Sequence, residues 1–462
     1  MSTTALVLAA GNGTRMKSQK PKVMHELLGV PMLHLVIKSA KEAGADRIIV
    51  VTGHQNELVD ECACQIEGVE TVYQDDRIGT ANAVELAKPL IGDDDEGTLV
   101  VLAGDVPLLR PETIRSLIDD CVTHGAAMSV LTAIYENPFG YGRIVRDETD
   151  HLEAIVEDKD ATPDQLEIKE TNAGAYAFAI DGLFDALSRI ENNNVKHEYY
   201  LTDIVKIFKE TGKRVRALPV ADNDETMGIN DRSQLAKVTK ILHKRITHEW
   251  MDKGVTIISP DTTWIGPDVS IAQDVEIWPN SYLRGQTSVG KGSTIGPDTR
   301  LVDSTVGEQS VVDSSIVLES EIGDFVNIGP RTYIRPGCVF ETGSKAGTSC
   351  ELKKAHVGPG SKVPHLAYVG DTTIGKKSNL GAGVITCNYD GFVKSKTVIG
   401  DGVFVGSDVM LVAPVTIGDG ANIAAGSVIS TDIPADAMAI ERADLRVEEG
   451  MAKFIREMKE QA

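Results

Sequence analysis

A step of six runs through the second half of the chain. Ile265, Ile271, Ile277, Leu283, Val289, Ile295 and Leu301 recur at every sixth position. After a slip of phase Ile316, Ile322, Ile328 and Ile334 resume the step, and after a second disturbance Ile399, Val405, Leu411, Ile417, Ile423 and Ile429 keep it. A strand buries every second residue and a helix every third or fourth. A period of six with glycine commonly beside the aliphatic residue, as in "IGP", "VGK" and "IGD", is the signature of a parallel β-helix. Three hexads close one triangular coil of about 18 residues, and each coil adds about 4.8 Å, so residues 265–433 predict about nine coils and a prism about 45 Å long. A sandwich of short strands would need alternation by two and hairpin turns, which are missing. Interruptions at 302–317 and 387–397 are the places for loops to leave the prism. The second, "TCNYDGFVKSKT", is polar and basic and is the better candidate for a functional excursion.

The first half has a different rhythm. Apolar runs at 5–10, 47–53, 98–103 and 128–134 alternate with helical patterns at 32–43 and 112–122. Strands separated by helix-length segments predict βαβ units and a parallel sheet covered on both faces, with ligands at the carboxyl ends of its strands. Leu235, Val238, Leu242, Ile246 and Trp250 then mark one face of a long helix. The expected organisation is an α/β domain over 1–231, a linker helix over 232–252 and the β-helix over 253–462.

Lys and Arg number 46 against 68 Asp and Glu, a net charge of −22 with the acid excess in both halves. That balance argues against a nucleic-acid or membrane-surface binder, which needs clustered cations. No apolar run approaches the length of a membrane span, and the start, MSTTALVLAAG, lacks a basic segment followed by an apolar one. These features predict a cytoplasmic protein. Cys62, Cys64, Cys121, Cys338, Cys350 and Cys387 lack the spacing of a disulfide framework or a zinc site and read as reduced structural thiols.

Against that acidity, "LVLAAGNGTRMKSQKPKV" sets a basic, glycine-rich turn just after the first apolar run. Gly11-Asn12-Gly13-Thr14-Arg15 is neither a P-loop nor a full dinucleotide fingerprint, since Met16 stands in the way. Its backbone N–H groups, with Arg15 and Lys22, suit a triphosphate. A tight turn with a solvated basic face is the bland alternative, and the turn alone does not decide between them.

LAAGNGTRM followed by PK resembles the start of the sugar-nucleotide pyrophosphorylases, nucleotidyltransferases with a Rossmann-like fold. With "KVPHLAYVGD" and "ITCNYDG" in the hexapeptide half, nearly the whole chain resembles one bacterial family of bifunctional enzymes. Its members join a UDP-N-acetylglucosamine pyrophosphorylase (N-acetylglucosamine-1-phosphate uridylyltransferase) to a glucosamine-1-phosphate N-acetyltransferase. The resemblance implies that Leu8, Ala9, Ala10, Gly11, Gly13 and Arg15 hold the UTP phosphates and that Lys22 steadies the α-phosphate. Gln74, Gly79 and Thr80 of "YQDDRIGTANA" would read uracil. Asp105 of "LAGDVPLL" and Asn230 of "MGIND" would bind Mg2+, and Gly140, Glu157 and Asn172 would hold the acetylated sugar. Ala103 stands where the family often has tyrosine, so no side chain is essential there. Glu157 and Asn172 read without the resemblance as an acidic run and a turn residue.

Acetyl transfer to an amino sugar needs a general base that works near pH 7 and an oxyanion stabiliser. By the resemblance His365 is that base; a lone histidine without it would more simply be structural. Arg335 and Lys353 would bind the sugar phosphate, and Tyr368 and Asn379 the sugar. Ala382, Asn388, Tyr389, Ser407, Ala425 and Arg442 would contact acetyl-CoA. "KAGTSCELKK" departs from the family pattern at Thr348, Ser349 and Cys350, which bears on packing rather than on Lys353. Cys350 and Cys387 have no part as nucleophiles, since direct transfer needs no acyl-enzyme. The resemblance also implies a left-handed β-helix, a homotrimer with shared acetyltransferase sites, and a product used in peptidoglycan synthesis and hence in cell-wall biogenesis and cell shape. Residues 447–459 read as a short charged helix, offered to a neighbour or frayed into solvent. A second enzymatic reading, a sugar-1-phosphate nucleotidyltransferase whose prism only regulates or trimerises, has no use for His365 or the "NYDG" loop.

Overall fold

A computed structural model describes residues 2–11, 13–53, 56–76, 78–92 and 97–460. Of the positions singled out above, Asn12 lies outside them. The chain divides into two compact units, residues 1–245 and 246–462, and the boundary falls inside the helix Arg232–Asp252. That helix buries Val238, Leu242 and Ile246, with Leu235 and Trp250 half-buried.

In the first unit strand Thr3–Leu8 is central, paired in parallel with Arg47–Thr52 on one side and Thr98–Ala103 on the other, and Val69–Tyr73 extends the first side. Both faces are covered, which is why these strands read as continuous apolar runs. Helices Met32–Glu42 and Pro111–Thr123 bury Leu33, Val36, Ile37, Ile114 and Leu117 against one face. Leu183–Leu187 and Ile204–Glu210 bury Phe184, Leu187, Val205 and Phe208 against the other. The sheet is mixed rather than wholly parallel. Glu170–Ala179 lies antiparallel between Thr98–Ala103 and Met128–Ile134, which itself pairs in parallel with Val215–Pro219. From 134 to 170 the chain passes through the hairpin Arg143–Arg146/Leu152–Val156 and a four-residue helix. Without a full crossover helix, the next strand enters from the opposite end.

The second unit is a left-handed parallel β-helix whose three sheets hold 11, 10 and 9 strands, from Thr256–Ile257 to Met438–Ala439. The aliphatic ladder points inward: Ile265, Ile277, Leu283, Ile295, Leu301, Ile328 and Ile334 have no exposed surface. After Leu301 the inward residues are Val306, Val312, Val317 and Ile322, so three of four steps are five residues long. Ile316, expected in the ladder, therefore faces outward, and no loop leaves the prism between 302 and 317. The missing residue comes out of the corner, where Asp303, Ser314 and Glu319 adopt left-handed backbone, and the strands keep their pairing. The interruption at 387–397 is a true excursion. Residues 388–396 leave between Ile385–Cys387 and Thr397–Ile399, closed by an antiparallel bridge from Tyr389 to Lys394.

Corner hydroxyls tie the coils together, a feature the aliphatic period does not reveal. Ser293, Ser310 and Ser378 donate to the carbonyls of Gly307, Gly323 and Gly400, each at 2.7 Å. Among the described residues no helix is long and apolar enough to cross a membrane. Met451–Glu460 forms the expected terminal helix and leaves Met451, Phe454, Ile455 and Met458 exposed along one side.

Coil spacing dictates glycine at the corners. A Cβ on Gly290 would lie 2.6 Å from the Gly307 carbonyl carbon, a backbone contact with no room to relax. Gly290→Ala is expected to cost about 2 kcal/mol, whereas Thr373→Ala, on an outward strand position, is expected to stay within about 0.5 kcal/mol. Denaturant unfolding of the two variants checks the difference.

Candidate active sites

In the first unit the basic turn closes on residues far away in sequence. Gly13 has a left-handed backbone (φ 56°), and a Cβ there would meet Lys22 Cβ at 2.6 Å, so the turn folds onto Lys22 only with glycine. Lys22 Nζ is in close contact with an Asp105 carboxylate oxygen and lies 3.4 Å from Asn230 Oδ1. Arg15 donates to the same Asn230 oxygen at 2.8 Å. Asp105 follows the end of Thr98–Ala103, where Ala103 sits beside Gly174. Asn230 precedes helix Arg232–Asp252, and its N–H is held by Gln234 Oε1 at 2.7 Å. Ile229 N–H donates to Asp105 O at 2.9 Å, joining the two segments. Leu8, Ala9, Ala10 and Gly11 lie at the carboxyl end of the central strand, with Ala9 N–H bonded to Val51 O at 2.9 Å.

Two further groups stand on the same unit. Gln74 is buried, with its amide donating to Asn82 Oδ1 at 2.8 Å and Gly79 O at 3.3 Å. Thr80 Oγ1 accepts from Leu201 N–H at 3.0 Å. Around Gly142, Asn172 Cβ and Glu157 Oε1 each come within 3.6 Å of the place a Cβ would occupy. Burial pushes the Glu157 carboxyl up, and Thr202 Oγ1 donates to it at 3.3 Å. Gly140 N–H donates to Asp158 Oδ1 at 3.1 Å, and that carboxylate pairs at 3.1 Å with the buried Arg143. The Arg143–Asp158 pair organises the hairpin, and the sequence signalled it only through the arginine closing "FGYGR". Among the described residues no three His, Cys, Asp or Glu cluster as a metal site. Asp105 and Asn230, joined through Lys22, are a sparse pair of hard oxygen donors, a chemistry that suits Mg2+, which keeps waters and takes ligands from phosphate.

In the second unit the register arranges the candidates in columns. Lys362 pairs with Asn379, Leu380 with Val405, and Val405 with Ile423. His365, Ala382, Ser407 and Ala425 therefore occupy the same corner on successive coils. Arg442 continues this edge, its Cδ 3.9 Å from where Gly426 would carry a Cβ. Arg335, Lys353 and Gly370 stack along the next corner. Tyr368 Oη and Asn388 Nδ2 crowd Gly370, 2.7 and 2.6 Å from a Cβ position there, and Asn388 also donates to Asp371 Oδ2 at 2.5 Å. Arg335 pairs with Glu351 at 3.0 Å. Lys394, on the basic excursion and marked by no motif of its own, lies beside Lys353. That neighbour holds the Lys394 ammonium below the usual lysine range. Two adjacent ammonium groups suit an anion between them.

Thr348, Ser349 and Cys350 leave the ladder unbroken. Thr348 is in register with His365, and buried Cys350 donates Sγ–H to Val363 O at 3.2 Å. All six cysteines are free. Burial pushes the Cys121 thiol up to about 11 and raises Cys62, Cys338, Cys350 and Cys387 as well. Iodoacetamide at pH 8 is expected to label exposed Cys64 first and to reach Cys121, Cys338 and Cys350 only on unfolding, since the thiolate is the reactive form. Peptide mass mapping over time, with and without denaturant, checks the order.

Residues 5–165 match the family model of the MobA-like NTP transferase domain, and residues 396–431 match the bacterial transferase hexapeptide (six repeats). The chain is similar to the bifunctional protein GlmU of Heliobacterium modesticaldum, 46% identical over 96% of this chain and 97% of that protein. It is similar also to bifunctional GlmU proteins of Carboxydothermus hydrogenoformans, 43% identical over 95% and 97%, and Streptococcus agalactiae, 44% identical over 98% of each. With a nucleotidyltransferase unit, a hexapeptide prism and relatives of this identity along its length, the chain belongs to the GlmU family of bifunctional transferases.

Proposed function

We propose that the chain makes UDP-N-acetylglucosamine in two steps. The second unit acetylates glucosamine 1-phosphate from acetyl-CoA, and the first transfers the uridylyl group of UTP to the N-acetylglucosamine 1-phosphate so formed, releasing pyrophosphate. The observation that carries the reading is the gathering of distant residues, in each unit, into the donor set of one half-reaction. In the first, Lys22, Asp105, Arg15 and Asn230 meet at the carboxyl ends of the central strands. In the second, an anion-binding corner lies one strand away from a column headed by His365.

Uridylyl transfer asks little of side chains beyond position and charge. The backbone at Leu8 to Gly13 and the Arg15 guanidinium take the phosphates, and Lys22 faces the α-phosphate, where charge builds as the sugar phosphate oxygen attacks in line. That oxygen is already anionic at pH 7, so no base is required. Gln74, Gly79 and Thr80 hold uracil, and Gly140, Glu157 and Asn172 the acetamido sugar. Asp105 and Asn230 are the residues that would hold Mg2+, which when bound neutralises phosphate oxygens. In the second unit Arg335, Lys353 and Lys394 take the sugar phosphate, while Tyr368 and Asn379 fix the ring. His365 accepts the proton as the amine attacks the thioester carbonyl and the coenzyme A thiolate leaves. Ala382, Ser407, Ala425 and Arg442, with Asn388 and Tyr389 on the excursion, line the cofactor path. The product suits cell-wall glycan synthesis, and six free thiols suit a cytoplasmic setting.

A homotrimer is part of the same proposal. Tyr282, Arg300, Ile316, Tyr333, Glu351, Tyr368, Ile385, Met410 and Val428 stack in register on the outer face of one sheet. Tyr282, Ile316, Tyr333, Ile385 and Val428 are each more than a third exposed. The face beside it carries Thr294, Val311, Asn327, Lys345, Lys362, Asn379 and Phe404 in register, and is the more polar of the two. The apolar face is the one flanked by the His365 and Lys353 columns, so a second copy seated there would complete the acetyl-transfer site.

His365→Ala is expected to lower acetyl transfer by at least about 100-fold and to leave uridylyl transfer near normal; Asp105→Ala is expected to do the reverse. Thiol release and pyrophosphate release, assayed separately, check both. Tyr333→Asp is expected to shift the protein toward monomer in sedimentation and to remove acetyl transfer while sparing uridylyl transfer.

A further inference from the structure

The segments that deliver Asp105 and Asn230 run side by side in opposite directions. At the near end Ile229 N–H donates to Asp105 O at 2.9 Å. Five residues beyond Asp105 and five before Asn230, Arg110 and Glu225 meet at the far end. Glu225 is 3% exposed. Its carboxylate accepts the Arg110 backbone N–H at 3.1 Å and the Thr113 hydroxyl at 2.6 Å, and it pairs with Arg110 Nε at 3.2 Å. Arg110 also reaches Asp222 at 3.1 Å, and Arg245 donates to Leu108 O at 2.9 Å between the two ends. Arg110 precedes helix Pro111–Thr123, so the buried charge sits where a helix N-terminus favours an anion. The backbone of residues 105–110 is thus fixed to that of 225–229 at both ends.

We propose that Glu225 is a positioning residue for nucleotidyl transfer, closing with its carboxylate the far end of the paired segments that present Asp105 and Asn230 at the near end. The inference rests on the reading that those two oxygens hold the divalent cation. The Glu225 carboxylate is engaged by Arg110 and Thr113, and the proposal gives it no contact with nucleotide or metal. It sets the spacing of the donor pair, and small errors of spacing are costly in a reaction that works by position. A carboxylate that merely capped the helix would, when removed, lower stability and leave metal affinity alone.

The test uses the full-length protein at saturating UTP, with Mn2+ as the metal probe and free Mn2+ read by electron paramagnetic resonance. Glu225→Ala is expected to weaken Mn2+ binding about tenfold and to raise the Mg2+ concentration for half-maximal uridylyl transfer in parallel. The KM for UTP is expected to stay within about twofold, since uniform binding contacts are untouched, and acetyl transfer is expected to be unchanged. Glu225→Gln, whose amide oxygen still accepts from Arg110 N–H and Thr113, is expected to recover part of the loss, to about threefold. Should the alanine variant fail to fold, the glutamine variant decides on the same readout. Unchanged Mn2+ affinity in the Glu225 variants, with affinity lost in Asp105→Ala, would overturn the positioning role. Unchanged affinity in Asp105→Ala would instead overturn the metal reading beneath it.

Discussion

Every coil of the prism hangs on the one before it through parallel backbone hydrogen bonds, and that pairing is the constraint from which the proposed acetyl-transfer site follows. Once register is set, a residue two places beyond an inward aliphatic always falls on the same corner. His365, Ala382, Ser407 and Ala425 lie there because Val363, Leu380, Val405 and Ile423 are stacked in the interior. Because the prism grows only along its axis, a column of corner positions becomes a straight edge with one coil spacing between contacts, which is the form an extended cofactor needs. Glycine and serine at the corners permit the close approach, and the aliphatic ladder beneath them holds it rigid.

The first unit solves a different problem, since its site must gather cations in a strongly acidic chain. Lys22 and Arg15 do not stand loose in the turn. Contacts with Asp105 and Asn230 hold them in place across more than 80 and more than 200 residues of sequence. Exchange of partners is then the natural consequence of substrate entry. On the proposed function, phosphate oxygens would take over the two cations and leave Asp105 and Asn230 as the residues that would hold a divalent ion. On that reading the cations are already gathered before nucleotide binds, and little rearrangement would remain for the transition state.

Sequence made much of this legible, for physical reasons that also explain what it hid. Period six exposed the prism because inward positions are sealed on all sides and tolerate only aliphatic residues. It misplaced Ile316 because a shortened corner changes phase while leaving the strands paired, and Ile316 and Val317 are equally apolar. The βαβ rhythm revealed the central parallel strands, whereas Glu170–Ala179 alternates around Asn172 and Gly174 and carries no mark of its antiparallel direction. Glycines and charged residues in short motifs pointed to Arg15, Lys22, Asp105 and His365 through resemblance. Arg143, Glu225 and Lys394 escaped because their meaning lies in partners far along the chain or across a loop, and no local pattern encodes a partner.

On the proposed function one chain performs two consecutive transfers at separate sites, the first supplying the second. Incubating the purified protein with glucosamine 1-phosphate, acetyl-CoA, UTP and Mg2+, and following free thiol and pyrophosphate in the same reaction, tests it most directly. Both are expected to appear, with pyrophosphate lagging behind thiol and absent when acetyl-CoA is withheld. Pyrophosphate released from N-acetylglucosamine 1-phosphate with no thiol release under any condition would contradict it, leaving a uridylyltransferase carried on an inert prism.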